Sequence, residues 1–209
     1  MGQEQQFWWN WWVSVAVAVA TFLAIATALF GTWLRAKIYP PVLRLRLLSA
    51  EGETGQIHRG TDEPRENARF YHMRVSNSRR LISPATDVQV FLIRVEEPGP
   101  DGVLQGTWFG NVPMSWRDQQ LYPLLRTIGP DIDCDLCTVG EKKWLTLSAL
   151  IVPFTLQARR EDPGIIVVSL QARSNQIDSP ICRIQLAWNG RWDDGVSEMK
   201  SHLVIKELA

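Results

Sequence analysis

Val13 to Thr32 reads VSVAVAVATFLAIATALFGT, twenty residues whose only polar side chains are small hydroxyls. As a helix rising 1.5 Å per residue, this stretch reaches about 30 Å, the thickness of a bilayer hydrocarbon core. The Val-Ala alternation also suits a strand. Twenty residues, however, far exceed an ordinary strand, and a lone strand cannot satisfy its backbone in lipid. The segment is therefore predicted to form one transmembrane helix.

The flanking residues support that reading. Trp8, Trp9, Trp11 and Trp12 stand at one end and Trp33 with Tyr39 at the other, as interfacial aromatic belts require. Arg35 and Lys37 follow, and Pro40-Pro41 stops the helix. No Lys or Arg precedes the apolar run, so the positive-inside bias places the C-terminal part in the cytoplasm. Residues 1–7 are expected to be extracytoplasmic, 8–39 to be a transmembrane helix with aromatic belts, and 40–209 to be a cytoplasmic domain. The predicted location is thus the inner (plasma) membrane, with one pass, N-out and C-in. A cleaved secretory signal would carry positive charge before a shorter apolar run, and here the charge lies after it. Ala16, Ala20, Ala24 and Ala28 repeat at four-residue spacing, a small-residue row that lets helices approach closely. Self-association through this face is expected, although a Val/Ala-rich segment also produces such rows by composition alone.

The chain holds 22 Lys+Arg against 22 Asp+Glu, 45% hydrophobic residues and three cysteines. This composition excludes a disordered chain, a disulfide scaffold and a strongly basic nucleic-acid binder. The balance hides an asymmetry, because no charge lies between Glu4 and Arg35. The 175 residues from 35 onward carry 22 positive and 21 negative charges, enough chain for one domain with a real core.

Beyond the helix the apolar period changes to two. Leu43, Leu45 and Leu47 alternate with charged neighbours. Similar runs follow at Tyr71, Met73 and Val75; Val88, Val90 and Leu92; Ile132, Cys134 and Leu136; Leu145 and Leu147; Ile166, Val168 and Leu170; Cys182, Ile184, Leu186 and Trp188; and Leu203 and Ile205. Glu51 to Asn67 reads as a loop. Turns are predicted at 97–102, 161–164 and Ser179-Pro180, and Asn189-Gly190 carries the strongest hairpin signal, with Trp188 and Trp192 packing across it. A long helical period is conceivable only from Met114 to Leu125. The fold class is therefore mainly β, an immunoglobulin-like antiparallel β-sandwich of seven to nine strands from about Val42 to Ala209, preceded by one N-terminal transmembrane α-helix.

Val75-Ser76-Asn77, followed by Ala85-Thr86-Asp87-Val88-Gln89-Val90, resembles the second and third strands of bacterial immunoglobulin-like β-sandwich domains of the cell-adhesion-related type. The resemblance covers about 25 residues. It implies a non-enzymatic binding or spacer sandwich, on a chain whose charge pattern points to the cytoplasm.

Cys134 and Cys137 form a CxxC, the spacing of half a zinc site or of a redox pair. Further ligands would have to come from Cys182, His58, His72 and His202, none of them in a second close pair. Asp133 and Asp135 disfavour a thiolate at Cys134, so a buried cysteine beside Ile132 and Leu136 is the preferred reading. Asp131, Asp133 and Asp135 mimic the opening of a calcium loop. That loop needs Gly at its sixth place and Glu at its twelfth, where Leu136 and Lys142 stand, so the three acids read as the solvated face of a strand. Arg79-Arg80 and Arg159-Arg160 are basic pairs expected in turns. Trp108 and Phe109 lie in the least readable stretch, Gln105 to Pro130, and these six residues are the candidate ligand or partner contacts. No nucleophile elbow, zincin motif or phosphate loop occurs, and no metal or cofactor is expected.

The expected function is a membrane-anchored, non-enzymatic binding and assembly module. Its expected partners are the lipid bilayer and either further copies of itself or another membrane or cytoplasmic protein, with no role for nucleic acid. Two alternatives are a membrane effector whose cytoplasmic domain binds a small anionic ligand through the arginine pairs, and a zinc enzyme using Cys134, Cys137 and Cys182.

Overall fold

A computed structural model describes residues 2–57, 65–117, 125–129 and 131–208. The chain forms two compact units, Met1–Pro40 and Pro41–Ala209. The first is a single helix, α1 (Gln3–Ile38), and its segment Gln6–Gly31 is apolar and long enough to cross a membrane. Within that segment the Ser14 hydroxyl donates to the Asn10 carbonyl at 2.9 Å and the Thr21 hydroxyl to the Val17 carbonyl at 2.8 Å. These polar groups are therefore satisfied within the helix.

The second unit carries twelve strands among the described residues, more than the seven to nine predicted. They are β1 (Leu43–Leu47), β2 (Glu53–Ile57), β3 (Glu66–Asn77), β4 (Ala85–Pro98), β5 (Leu104–Pro113), β6 (Arg126–Ile128), β7 (Ile132–Gly140), β8 (Trp144–Leu147), β9 (Arg159–Arg160), β10 (Gly164–Arg173), β11 (Cys182–Trp188) and β12 (Leu203–Leu208). Two antiparallel sheets result. One runs β1-β3-β7-β8-β9 with β2 beside β3, and the other β12-β11-β10-β4-β5 with β6 beside β4. The orders β1-β3-β7 and β11-β10-β4-β5 coincide with the A-B-E and G-F-C-C′ orders of immunoglobulin-like sandwiches. The alternating residues read from the sequence fill the space between the sheets: Met73, Val75, Val90, Leu92, Leu136, Val168 and Ile184 are each fully buried.

Four expectations need correction. Glu51 to Asn67 is not one loop, because β2 pairs with residues 66–70 of β3 and continues the edge that β1 begins at 73–77. The Asn189-Gly190 turn does not close a hairpin. Strand β11 pairs with β12 so that Trp188 faces Leu203, and the connection contains a helix, α2 (Val196–His202), whose Met199 is fully buried. A buried methionine thus takes the chain through a detour that a tight turn would forbid. Of the possible helix from Met114 to Leu125, Met114 and Trp116 instead make isolated β-bridges to Ala149 and Cys134, and residues 118–124 lie outside the described set. Arg159 and Arg160 form strand β9 rather than a turn.

The chain changes sheets at Met114. Its N–H bonds the Val90 carbonyl of β4, whereas Ser115 accepts from Asp135 and Arg117 donates to Asp133, both on β7. Gln89, buried inside β4, donates through Nε2 to the Met114 carbonyl at 2.8 Å and so satisfies the acceptor stranded by the crossing. Arg69, 1% exposed, performs a similar task, donating to the Glu51 carbonyl at 3.0 Å and to the Asp194 carbonyl at 2.7 Å. Gly52 crosses directly over this guanidinium stem at φ 65°. A Cβ there would lie 2.8 Å from both Arg69 Cγ and Tyr71 Cε1, so glycine is required.

Asn77 closes the end of the sandwich at which the chain arrives from α1. Its Oδ1 accepts from the Val42 and Arg79 N–H groups at 3.0 Å each, and its Nδ2 donates to the Ser83 carbonyl at 2.7 Å. Replacing Asn77 by Ala strands these partners, and the expected loss of stability is about 3 kcal/mol, measured by urea unfolding of the full chain in detergent micelles. Asn77→Asp keeps the acceptor but turns an oxygen toward the Ser83 carbonyl, and at pH 7 is also expected to lose stability.

Candidate functional site

The residues assigned to the membrane interface all lie on α1. Trp8, Trp9, Trp11 and Trp12 are exposed, with Trp8 and Trp11 edge-on at 6.0 Å, and the Lys37 ammonium lies 5.0 Å from the Trp33 ring centre. Arg35 falls within the same helix. Trp12 and Trp33 are twenty-one residues apart, or about 31 Å along a helix, a separation that equals the thickness of a bilayer hydrocarbon core. Ala16, Ala20, Ala24 and Ala28 are exposed along the intervening segment.

The six candidate contacts of the sandwich are not brought together. Arg79 and Arg80 sit in the turn after β3, and the Arg80 guanidinium lies 3.9 Å from Asp131. Arg159 and Arg160 form β9, an edge strand of the same sheet three strands away from β3. Arg159 donates to Glu161 at 2.9 Å, and Arg160 grips Glu97 with both terminal nitrogens. The hydrogen bond from Arg160 holds the Glu97 carboxyl below its usual range. Trp108 and Phe109 are consecutive in β5 and so point to opposite faces. Trp108 is in the core with its indole N–H on Thr155, which removes it from any surface platform, whereas Phe109 is exposed beneath the Arg94 guanidinium at 5.0 Å.

Cysteines three apart on a regular strand would face opposite ways. Strand β7 instead carries a bulge: Tyr71 faces Cys137, His72 faces Asp135, and Leu136 is the additional residue. Both Cys134 and Cys137 consequently enter the core. Burial raises both thiol pKa values far above the ordinary range, with Asp135 and Asp133 adding to the effect at Cys134. Cys182, in the other sheet, is pushed up to about 12, mainly by burial. Among the described residues no three metal-ligating side chains cluster, and His58 lies outside them.

Of the three aspartates read as a solvated face, Asp131 is exposed, whereas Asp133 and Asp135 are paired across strands. Arg74 stands directly opposite Asp133 and donates to it at 2.9 Å, while His72, opposite Asp135, shares a 2.8 Å hydrogen bond with it through Nδ1. Arg117, carried in by the chain that changed sheets, lies 3.6 Å from Asp133 and donates to Glu53 of β2 at 3.0 Å. Glu53, Thr54, Phe70, His72, Arg117 and Asp135 line an open cleft of about 270 Å³. It presents carboxylates, a guanidinium, an imidazole, a hydroxyl and one aromatic face, a mixture suited to a polar group that both donates and accepts. The cleft is hidden in the sequence because Glu51 to Asn67 reads as loop and Arg117 falls within a helical period. The alternation of Asp133 and Asp135 opposite Arg74 and His72 was the available signal. Comparison of the chain with protein-family models, curated proteins and solved structures gave no match.

Protonated, buried thiols are unreactive. Native protein at pH 7.5 is therefore expected to resist maleimide at all three cysteines, and urea-unfolded protein to react at three. The same shifts set a pH trend. A thiol whose folded pKa is raised stabilises below its unfolded pKa and loses that contribution as pH climbs toward the folded value. The urea midpoint is thus expected to fall from about pH 8.5 upward, each thiol adding up to about 1.4 kcal/mol per pH unit.

Proposed function

We propose that this protein is a bilayer-anchored, immunoglobulin-like binding and assembly module, with its N-terminus outside the cytoplasm and its sandwich at the cytoplasmic face of the plasma membrane. The observation that carries this reading is α1 itself. Its Gln6–Gly31 segment is apolar and wholly unburied by the rest of the chain, and water is a poor solvent for such a surface. Tethering confines the sandwich to the membrane plane, where even weak contacts are strengthened by high effective concentration. The paired outer-face charges and the polar cleft beside His72 suit reversible recognition of another polar surface or of a second copy. The face carrying Ala16, Ala20, Ala24 and Ala28 supplies the means of gathering copies. The reading as an anion-gated effector gains no support from the arginine pairs, of which one lies in the turn after β3 and the other in edge strand β9.

In sealed vesicles of known orientation, a protease outside the cytoplasmic face is expected to degrade residues 40–209 and leave the anchor. Degradation only from the opposite side would overturn the orientation. Crosslinking in those membranes is expected to capture oligomers of the chain, and Ala20→Leu with Ala24→Leu is expected to reduce them several-fold by keeping the helices apart. An unchanged crosslinking pattern removes the small-residue face from the proposal.

A further inference from the structure

Leu81 is 93% exposed, yet the turn that carries it is tightly built. Within it, Arg80 N–H bonds the Asn77 carbonyl at 3.2 Å, and the Ile82 and Ser83 N–H groups both bond the Arg79 carbonyl at 2.9 Å. Asn77 then clasps the Ser83 carbonyl from inside. A leucine held at the tip of a closed turn, followed by half-exposed Ile82 and preceded by two exposed arginines, is not an accident of a slack loop. Residues 78–84 contain two positive charges and no negative one.

The position of the turn identifies what it meets. Ser78 N–H bonds the Val42 carbonyl at 3.0 Å, and Val42 is the second residue of the sandwich unit. From Ile38, the last residue of α1, to Val42 is four residue steps, which span at most about 14 Å. The turn is therefore bound to the very point at which the chain comes off its anchor. The connection between β10 and β11 stands at the same end, since Gln176 bonds Thr86 at 2.8 Å, and it adds exposed Ile181. Of the acidic groups at this end, Asp87 accepts from Asn175 and Asp131 lies 3.9 Å from Arg80.

We infer that the turn Ser78–Pro84 is a second membrane contact, with Leu81 and Ile82 entering the interfacial layer and Arg79 and Arg80 meeting anionic headgroups. The inference rests on the bilayer-anchored reading above. An apolar tip flanked by cations matches a surface that is apolar below and negatively charged above. Its consequence is orientation. A sandwich on a short tether alone swivels, whereas a sandwich touching the bilayer at a second point presents a fixed face, and the cleft beside His72 with it.

The test uses the full chain in lipid nanodiscs, with single cysteines introduced for an environment-sensitive fluorophore; the three native thiols are buried. Labels are placed by Leu81→Cys, by Leu23→Cys within α1 and by Val103→Cys in the turn at the far end of β4, and quenching by spin-labelled lipid is read. With anionic lipid, the labels at 81 and 23 are expected to be quenched and the label at 103 to remain in water. Replacing the anionic lipid by a zwitterionic one, or adding Arg80→Glu, is expected to lower quenching at 81 about twofold or more without changing it at 23. Quenching at 23 with none at 81, or equal quenching at 81 and 103, overturns the second contact and leaves the anchor standing. Absence of quenching at 23 overturns the anchored reading and the inference together.

Discussion

The side-chain amide of Asn77 is the constraint on which the arrangement turns. It is 2% exposed and bonds four backbone groups from three stretches of chain: Val42 where the sandwich begins, Arg79 and Ser83 at the start and close of the following turn, and Ile128 of β6. An asparagine is suited to this task because one planar group offers a carbonyl for two donors and an NH₂ for two acceptors. Because β1 meets β3 at this residue, the register of the whole first sheet starts from it: Leu43 faces Asn77, Leu45 faces Val75, and the inward rows follow. The same amide fixes the start of the sandwich at Val42 and shapes the basic-apolar turn beside it.

Charge neutrality takes on a structural meaning in this light. Ion pairs tie the strands together: Arg74 to Asp133 on neighbouring strands, Arg183 to Glu96 across the intervening β10, and Arg160 to Glu97 from one sheet to the other. Glu96 receives Arg94 as well as Arg183, one carboxylate between two cations on strands flanking Ser169. Pairs of this kind contribute little individually when exposed, but directly opposed like charges would destabilise the sheet, so their arrangement discriminates between registers. The equal totals of acids and bases thus reflect strand pairing rather than an inert surface. In the turn carrying Arg79 and Arg80 the local balance breaks toward positive charge.

What could be read from the sequence divides along a physical line. Rows such as Ile166, Val168 and Leu170 were legible because a strand with one buried face stamps its period on the sequence. The helix was legible because an apolar run of this length has no other regular form that satisfies its backbone. Three other features depend on partners distant in sequence. Strand β2 exists only because β3 extends past β1 and leaves an edge to be filled. The bulge at Leu136 turns an alternating strand into one that buries both cysteines of the CxxC. The path from Leu104 to Arg117 changes sheets at Met114, so no single period runs through it. Asn189-Gly190 misled for a related reason. The pair does make a turn, with Gly190 at φ 77°, but burial of Met199 decides where the chain returns.

The candidate site illustrates the same division and explains its own composition. Glu53, His72, Arg117 and Asp135 come from a filled edge, a central strand, a sheet-crossing segment and a bulged strand, so no short motif could have announced them. Their convergence follows from the bulge. With Leu136 taken up as the additional residue, Asp135 stays opposite His72 on the outer face while Cys137 is sent inward, and the crossing chain delivers Arg117 against the same strand. One extra residue in β7 therefore accounts for both the inert thiols inside the sandwich and the polar cleft outside it. The sequence pattern CDLC, which suggests metal or redox chemistry when read as a motif, is at this position the local signature of a strand whose two faces change register between one cysteine and the next.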